Sequence, residues 1–131
     1  MNAAASREGE PDVRVAFRPH GAGLRVHVIG HTSFEATLGY WQAILAEVRK
    51  APAEHLLLVD DLHGPPLTVK DWHTLVDAMA DRGLEGIRIA HVRPLGLQRL
   101  DFCEIFARQA GLDARVFDSE SAAELWLRHG Q

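Results

Sequence analysis

The feature that most constrains the fold is an uninterrupted apolar run, Leu56 to Val59, near the middle of the chain. A short continuous run of this kind is typical of a strand that is covered on both faces. We expect the strand to extend from His55 to Asp60. Before and after it, apolar residues recur every three or four positions, which is the spacing of a helix with one buried face. The run therefore predicts the central strand of an α/β sheet with helices packed on it.

Two segments near the start of the chain have the alternation of half-buried strands. Apolar and polar side chains alternate over residues 13–18 and again over residues 24–28, with the two-residue period of a strand. The connection His20-Gly21-Ala22-Gly23 contains two glycines and is short enough for a tight turn. These segments therefore predict an antiparallel hairpin.

Helices and strands alternate through the rest of the chain. A first helix follows Thr32, which forms a capping-box pattern with Glu35. A second helix begins at Thr68 as its N-cap and ends at Gly83 in a left-handed conformation. The remaining predicted elements are a strand over Ile87–Val92, a helix over Leu97–Ala110, a strand over Arg115–Phe117, and a last helix capped by Asp118 or Ser119 and ending at Gly130. The order ββαβαβαβα indicates a mostly parallel sheet with an antiparallel first strand.

The composition indicates one domain and excludes several functional classes. A chain of 131 residues, 47% of them hydrophobic, can bury a core of its own. We expect a disordered leader over residues 1–12 and a single domain over residues 13–130. The net charge of -4 provides no basic surface for nucleic acid. With no signal peptide, no apolar run of about 20 residues and one cysteine, we expect a cytoplasmic protein without a membrane span.

The candidate site lies at the carboxyl ends of the predicted parallel strands. In open α/β sheets, ligands and partners bind at this edge, where loops lead into helix N-termini. The loop after the central strand and the start of the loop after the next strand supply the candidate partner-binding residues. They are Asp61, Leu62, His63, Gly64, Leu67, Thr68, His91 and Arg93.

The Asp60-Asp61 pair with His63 is the most reactive-looking group, because carboxylates and imidazole bind metals and transfer protons. Neighbouring strand residues point to opposite faces, however, so the two carboxylates are poorly placed to chelate one ion. The favoured interpretation is that one aspartate binds loop amides and the other is solvated. An enzyme using Asp61, His63 and His91 is kept as a minor alternative.

The other reactive residue types give no catalytic, metal or cofactor prediction. The eight histidines are scattered rather than spaced like zinc ligands. A meeting of His31, His63 and His91 at the strand ends would give a pH-sensitive or metal-scavenging edge, but separate surface or hydrogen-bonded histidines are the favoured interpretation. Cys103 lies on an apolar helix stripe, where cysteine behaves as a small hydrophobe. The chain contains no GxSxG elbow, phosphate-binding loop or dinucleotide fingerprint.

Beside the element order, the chain carries several short motifs: Tyr40-Trp41, Leu57-Leu58-Val59-Asp60-Asp61, Asp71-Trp72, Arg88-Ile89-Ala90-His91-Val92 and Ala123-Glu124-Leu125-Trp126-Leu127. The order and these motifs resemble the STAS fold of bacterial anti-sigma-factor antagonists and sulfate-transporter tails. The likeness is closer to the small stand-alone STAS-like proteins of bacteria, and it covers residues 13–130. The resemblance implies a regulatory protein that binds another protein.

In the anti-sigma-factor antagonists, a serine or threonine in an Asp-Ser-Ser-Gly-like motif is the phosphorylation switch. This chain has no such motif after its central strand, and Thr68 is the only hydroxyl in that loop. Phosphorylation of Thr68 is therefore a prediction that rests on the resemblance alone. A capping role for Thr68 is favoured.

We expect a non-catalytic interaction module that binds a protein partner, such as an anti-sigma or kinase-like regulator, through the loop after the central strand. This hypothesis predicts an exposed apolar patch beside Leu62 and Leu67. The alternative is a carrier or sensor of a small apolar, lipid-like ligand, held in a cavity lined by Trp41, Trp72 and Phe106. A homodimer formed through a helix face is left open.

Overall fold

The computed structural model describes residues 13–96 and 100–129. Within these ranges the predicted order ββαβαβαβα is confirmed. The strands are β1 (Val13–His20), β2 (Gly23–His31), β3 (His55–His63), β4 (Arg88–Val92) and β5 (Asp113–Phe117), and the helices are α1 (Phe34–Lys50), α2 (Val69–Met79), α3 (Leu100–Gln109) and α4 (Glu120–His129). The predicted leader over residues 1–12 lies outside the described residues, as does the predicted start of the third helix at residue 97.

The strands form one sheet in the order β1-β2-β3-β4-β5. β1 is antiparallel to β2, and each of the other neighbouring pairs is parallel. The apolar run thus occupies the middle strand, as predicted. The hairpin closes at the His20–Gly23 pair, and Gly21 has a φ of 57°, a left-handed conformation that glycine adopts without a steric cost.

Helices cover the sheet on both sides, but unequally. Leu56 and Leu58 of β3 pack in the large core under α1, whereas Leu57 and Val59 pack against Trp126 of α4. Because successive strand residues point to opposite faces, α4 lies on the opposite side of the sheet from α1. A third cluster joins α2 and α3 on the α1 side, through Leu67, Trp72, Leu75 and Cys103.

β3 is longer than the sequence indicated, since it continues past Asp60 to His63. Leu62 is paired with Gly30, and His63 with His31. The two consecutive aspartates led the sequence analysis to end the strand too early. A charged residue is tolerated in a buried strand only with a tertiary partner, and the local sequence does not reveal that partner. The connection to α2 therefore begins three residues later than predicted.

Two predicted helix boundaries are wrong. The N-cap of α1 is Ser33, whose hydroxyl accepts from the Ala36 amide, while the amide of Thr32 still donates to the carbonyl of His63 in the sheet. α2 ends at Met79 rather than at Gly83. The carboxylate of Glu85 accepts from the amides of Asp81 and Gly83, so this turn is held by a side chain instead of a glycine cap.

Candidate functional site

A buried group of polar side chains lies at the carboxyl ends of β3 and β4, on the side covered by α1. Asp60 and His91 occupy strand positions that face this side, and their side chains are only 7% and 3% exposed. Arg93 follows β4 directly. Ionisable groups at such depth require partners, because an unpaired buried charge is costly. We refer to Asp60, His91 and Arg93 as the buried cluster.

Both carboxylate oxygens of Asp60 are engaged. Its Oδ2 lies 2.9 Å from His91 Nε2, and its Oδ1 accepts from Arg93 Nη1 at 3.1 Å. The amide of Leu62 also donates to Oδ1 at 3.1 Å. The expectation that one aspartate binds a loop amide therefore fits Asp60, but its main partners are His91 in β4 and Arg93 directly after it.

The environment of Asp60 favours the charged carboxylate. Burial acts to raise the pKa of Asp60, but the hydrogen bond and charge of His91, the Leu62 amide and the Arg93 guanidinium together hold it below its ordinary value. The buried cluster is thus an ion pair with its charges already compensated.

Aromatic side chains surround the cluster. The rings of Trp41 and Trp72 contact the His91 ring edge-on, with centroid distances of 6.4 and 6.2 Å. Tyr40 is buried beside them, and burial followed by the charge of Asp60 raises the pKa of its hydroxyl. Among the described residues, neither Tyr40 Oη nor His91 Nδ1 has a hydrogen-bond partner.

A small cavity of about 40 Å³ lies beside His91, between the sheet, α2 and α3. Trp41 and Trp72 line it, as the carrier alternative expected, whereas Phe106 does not. A water molecule takes up about 30 Å³ of liquid, and a cavity that admits benzene measures roughly 150 Å³. The cavity therefore has no room for a lipid-like ligand as it stands.

Cys103 lies on the wall of the same cavity and is buried. Burial, with a further contribution from the charge of Asp60, raises the pKa of its thiol to about 12. The nucleophilic form of cysteine is the thiolate. At neutral pH, Cys103 is therefore a protonated, apolar part of the core.

Leu62 and Leu67 are not themselves part of an exposed patch, because these residues are only 2% and 7% exposed. Leu62 lies on the same face of β3 as Leu58 and packs in the large core. Leu67 packs with Trp72. The two leucines anchor the ends of an exposed tip, His63-Gly64-Pro65-Pro66.

Thr68 caps α2, as predicted. Its hydroxyl accepts from the Asp71 amide at 3.0 Å, and the Asp71 carboxylate accepts from the Thr68 amide at 3.3 Å. This reciprocal pair is a capping box. Thr68 is exposed, so it contributes a surface hydroxyl as well as a cap.

Gly64 allows the tip to approach β2 closely. It has a φ of 116°, and a Cβ atom at this position would lie 3.2 Å from Nε2 of His31. A side chain there would therefore be both strained and crowded. Gly64 thus contributes backbone shape to the candidate surface.

The minor enzyme alternative is not supported by the placement of its residues. Asp61 and His63 lie on the α4 side of the sheet, whereas His91 lies on the α1 side. Asp61 pairs instead with Nε2 of His27 at 2.6 Å. His31 and His63 are paired on the α4 side, so these two histidines do not meet His91, in keeping with the favoured interpretation of separate histidines. Within residues 13–96 and 100–129, no three His, Cys, Asp or Glu side chains are arranged to hold a metal ion.

The sequence placed the loop after β4 at this edge but did not single out its exposed residues beyond Arg93. Pro94 and Leu95 follow β4 and are exposed, Leu95 to 53%. Because β3 and β4 are parallel neighbours, this loop and the His63–Pro66 tip project from the same edge of the sheet. The signal was a proline and a leucine placed directly after a predicted strand, where an apolar residue has no core to enter.

The role of Arg93 also differs from that of a free contact residue. Its guanidinium is bonded to Asp60 and its amide donates to the Phe117 carbonyl at 2.8 Å. Arg93 therefore fixes the start of the second loop to both β3 and β5. His91, also a candidate contact residue, is buried and does not reach the surface.

The fold and this edge define an α/β protein with a buried ion-pair cluster beneath two exposed, proline-containing loops. No protein-family model matches the chain, and a search of curated proteins finds no match. None of the helices in the described part of the chain is long and apolar enough to cross a membrane.

Proposed function

We propose that this protein is a non-catalytic, cytoplasmic regulatory module of the STAS-like type. It binds a protein partner through an edge surface made of His63–Pro66 and Pro94–Leu95. The observation that carries the proposal is the exposure of three prolines and Leu95 on two neighbouring loops. Exposed apolar groups gathered at one place favour a binding role.

The backbone of the edge surface supports binding at low entropic cost. Proline fixes φ, so Pro65, Pro66 and Pro94 lose little freedom when a partner binds. The first loop is held at one end by buried Leu62 and at the other by buried Leu67. Such preorganised segments retain more of their contact energy as affinity.

The buried cluster supports the same function as a brace. The Asp60–Arg93 ion pair joins the end of β3 to the loop after β4, so the two exposed loops keep a fixed spacing. His91 holds the other oxygen of Asp60. This arrangement uses the ionisable groups for mutual compensation and favours a structural role over proton transfer.

The proposed partner is an anti-sigma or kinase-like regulator, as the STAS resemblance implies. The carrier alternative is less well supported, because the cavity of about 40 Å³ is well below the volume that even benzene requires. A ligand-bearing protein would need a larger interior.

The proposal is tested by recovering partners of the tagged protein from its source cells and comparing two variants. Leu95→Asp places a charge on the edge surface. Ile105→Asp is the matched control, because Ile105 is an exposed apolar residue on α3 and not on either loop. We expect the control to retain the partner and Leu95→Asp to weaken its binding at least tenfold, or about 1.4 kcal/mol. Equal affinities for the purified partner would contradict the proposal.

A further inference from the structure

Two histidines meet at the amino-terminal end of the parallel strands, away from the edge surface. His20 is the last residue of β1, and His55 is the first residue of β3. Nδ1 of His20 lies 2.8 Å from Nε2 of His55, and the two rings are nearly perpendicular, with their centroids 5.0 Å apart. Only one hydrogen atom fits between nitrogens at this distance, so at least one nitrogen presents a lone pair. We refer to His20 and His55 as the histidine pair.

A carboxylate fixes the orientation of His20. Oε2 of Glu124, on α4, lies 2.8 Å from Nε2 of His20. Because a carboxylate accepts, the ring donates its Nε2–H to Glu124 and turns Nδ1 toward His55. A histidine that binds a metal almost always donates its other ring N–H to a carboxylate, a backbone carbonyl or water. The arrangement of Glu124 and His20 is therefore that of a metal ligand with its supporting carboxylate.

The backbone holds His55 against the turn of the hairpin. The amide of Glu54, directly before His55, donates to the carbonyl of Ala22 in the turn at 3.0 Å. Gly23 leaves room for the imidazole, because a Cβ atom at this position would lie 2.5 Å from Nε2 of His55. Any larger residue would therefore displace the ring from His20. Groups that the backbone places in this way need little reorganisation to bind a ligand.

The histidine pair is accessible to solvent and lies among carboxylates. The side chains of His20 and Glu124 are 23% and 30% exposed, so an ion can reach the pair from the surface. Glu124 and Glu54 both lie close enough for their charges to act on His55, in a chain whose net charge is -4. Negative charge at this distance attracts a cation. The surroundings of the pair therefore favour a bound cation.

We propose that the histidine pair binds a divalent transition-metal ion of the zinc class. Nδ1 of His20 and Nε2 of His55 are its two protein ligands, and the hydrogen between them leaves to water as a proton. Imidazole suits zinc, copper and nickel, whereas magnesium and calcium prefer oxygen ligands. Two nitrogens that bind zinc tetrahedrally at about 2.0–2.1 Å lie about 3.3 Å apart, so the pair opens by only about 0.5 Å to take the ion.

Two protein ligands leave part of the coordination shell of the ion open. Within the residues that the structure describes, no third His, Cys, Asp or Glu side chain joins the pair to hold a metal. Because zinc takes four ligands, water fills its other positions. β1 and β3 supply the ligands and α4 supplies the supporting carboxylate, so the bound ion ties the hairpin to the middle of the sheet.

The experiment is isothermal titration calorimetry of the full chain with Zn²⁺, after dialysis against EDTA and then against metal-free buffer. We expect one equivalent of Zn²⁺ to bind and Mg²⁺ not to bind. His20→Gln and His55→Gln each remove a ligand and should weaken the affinity at least about tenfold. Glu124→Gln keeps an oxygen for His20 but loses the charge, and should weaken it by about 10–100-fold. His73→Gln is the matched control, because His73 is an exposed histidine beside the carboxylate of Asp77.

A second measurement, on the wild-type protein, covers the case in which a histidine variant does not fold. In nitrogen-15 spectra of the imidazole rings, Zn²⁺ should shift Nδ1 of His20 and Nε2 of His55 and leave His73 unchanged. A wild-type protein that does not bind Zn²⁺, or binding that is undiminished in both histidine variants, would overturn the proposal. An equal loss of affinity in His73→Gln would also overturn it, since the ion would then be held adventitiously by surface histidines. None of these results depends on partner binding at Leu95, so the two proposals fail separately.

Discussion

Asp60 and Asp61 are neighbours in sequence but differ in environment. Asp60 points toward α1 and is 7% exposed, with its charge met by His91 and Arg93. Asp61 points to the opposite side, is 31% exposed and pairs with His27. Nothing in the residue types distinguishes the two, because the difference arises from partners that lie at least 31 residues away.

The Asp60–Asp61 contrast predicts very different costs for the same substitution. Asp60→Asn removes the carboxylate that pairs with Arg93 and is hydrogen-bonded to His91 in a buried site, so the free energy of unfolding should fall by about 3 kcal/mol. Asp61→Asn breaks a partly exposed pair and should cost less than about 1 kcal/mol. Urea denaturation followed by tryptophan fluorescence measures both. Equal costs for the two variants would show that the buried cluster does not brace the edge.

A second group of ionisable residues lies at the opposite end of the strands. His20 Nδ1 is 2.8 Å from His55 Nε2, and His20 Nε2 is 2.8 Å from the Glu124 carboxylate. Burial, and then the charge of His20, lower the pKa of His55 below its ordinary value of 6.5, against the opposing effects of a backbone hydrogen bond to His20 and of the charges of Glu124 and Glu54. The chain of contacts links the hairpin, β3 and α4.

The lowered pKa of His55 predicts a pH dependence of stability. A folded pKa below the unfolded value means that the unfolded chain binds the proton more tightly, so this contribution is present above pH 6.5 and is lost as the pH falls through the folded pKa. His55→Gln retains a donor toward His20 but does not titrate. We expect it to flatten the fall in unfolding free energy between about pH 5 and pH 6.5. The control is His73→Gln, at a side chain that is 60% exposed. If this control changed the pH dependence of the unfolding free energy as much as His55→Gln does, the pH dependence could not be attributed to His55.

At the scale of elements, the strands were predictable where apolar residues alone decide them. The run 56–59 and the alternation of the hairpin both became strands. The extension of β3 to His63 was not predictable, since it depends on the contacts of Asp60 with His91 in the next strand and with Arg93 directly after it. Likewise, Ser33 displaces Thr32 as the cap of α1 because the Thr32 amide is taken by the sheet. Local patterns identify an element, but tertiary hydrogen bonds set its ends.

The start of α2 is a case in which the local signal was sufficient. Thr68→Ala should lower the free energy of unfolding by about 1 kcal/mol, since it removes the acceptor for the Asp71 amide. Thr68→Ser and Thr68→Asp keep a capping oxygen and should remain close to the wild type. Thr74→Ala is the matched control; the Thr74 hydroxyl only bonds the Lys70 carbonyl within the helix. Thermal and urea unfolding measure these differences.

The Thr68 variants also separate a cap from a switch. A pure cap predicts that Thr68→Asp, with its added negative charge, leaves partner binding unchanged. A phosphorylation switch predicts that Thr68→Asp alters binding while stability stays constant, because the charge acts on the partner. Affinity for the purified partner, measured beside the stability of the same variant, therefore decides the weak prediction that the STAS resemblance made for this residue.

At the scale of the whole molecule, the sheet order β1-β2-β3-β4-β5 agrees with the tendency of consecutive strands to lie side by side. The hairpin adds β1 at the edge. The unequal covering of the two faces could not be predicted in the same way. It depends on α4 lying over β3 to β5, since α4 does not extend over the same side of β1.

The volume of the interior cavity distinguishes a protein with a filled core from a carrier of a small ligand. With a cavity of about 40 Å³, the wild-type protein should show no rise in melting temperature in benzene-saturated buffer, and native mass spectrometry should show no bound lipid. Leu75→Ala removes a wall of this cavity, where Leu75 is only 2% exposed. The substitution should cost about 2–5 kcal/mol and create space that benzene can fill. Benzene should therefore raise the melting temperature of the variant alone. Stabilisation of the wild-type protein by benzene, or a stoichiometric lipid adduct, would show that its core opens and would favour the carrier.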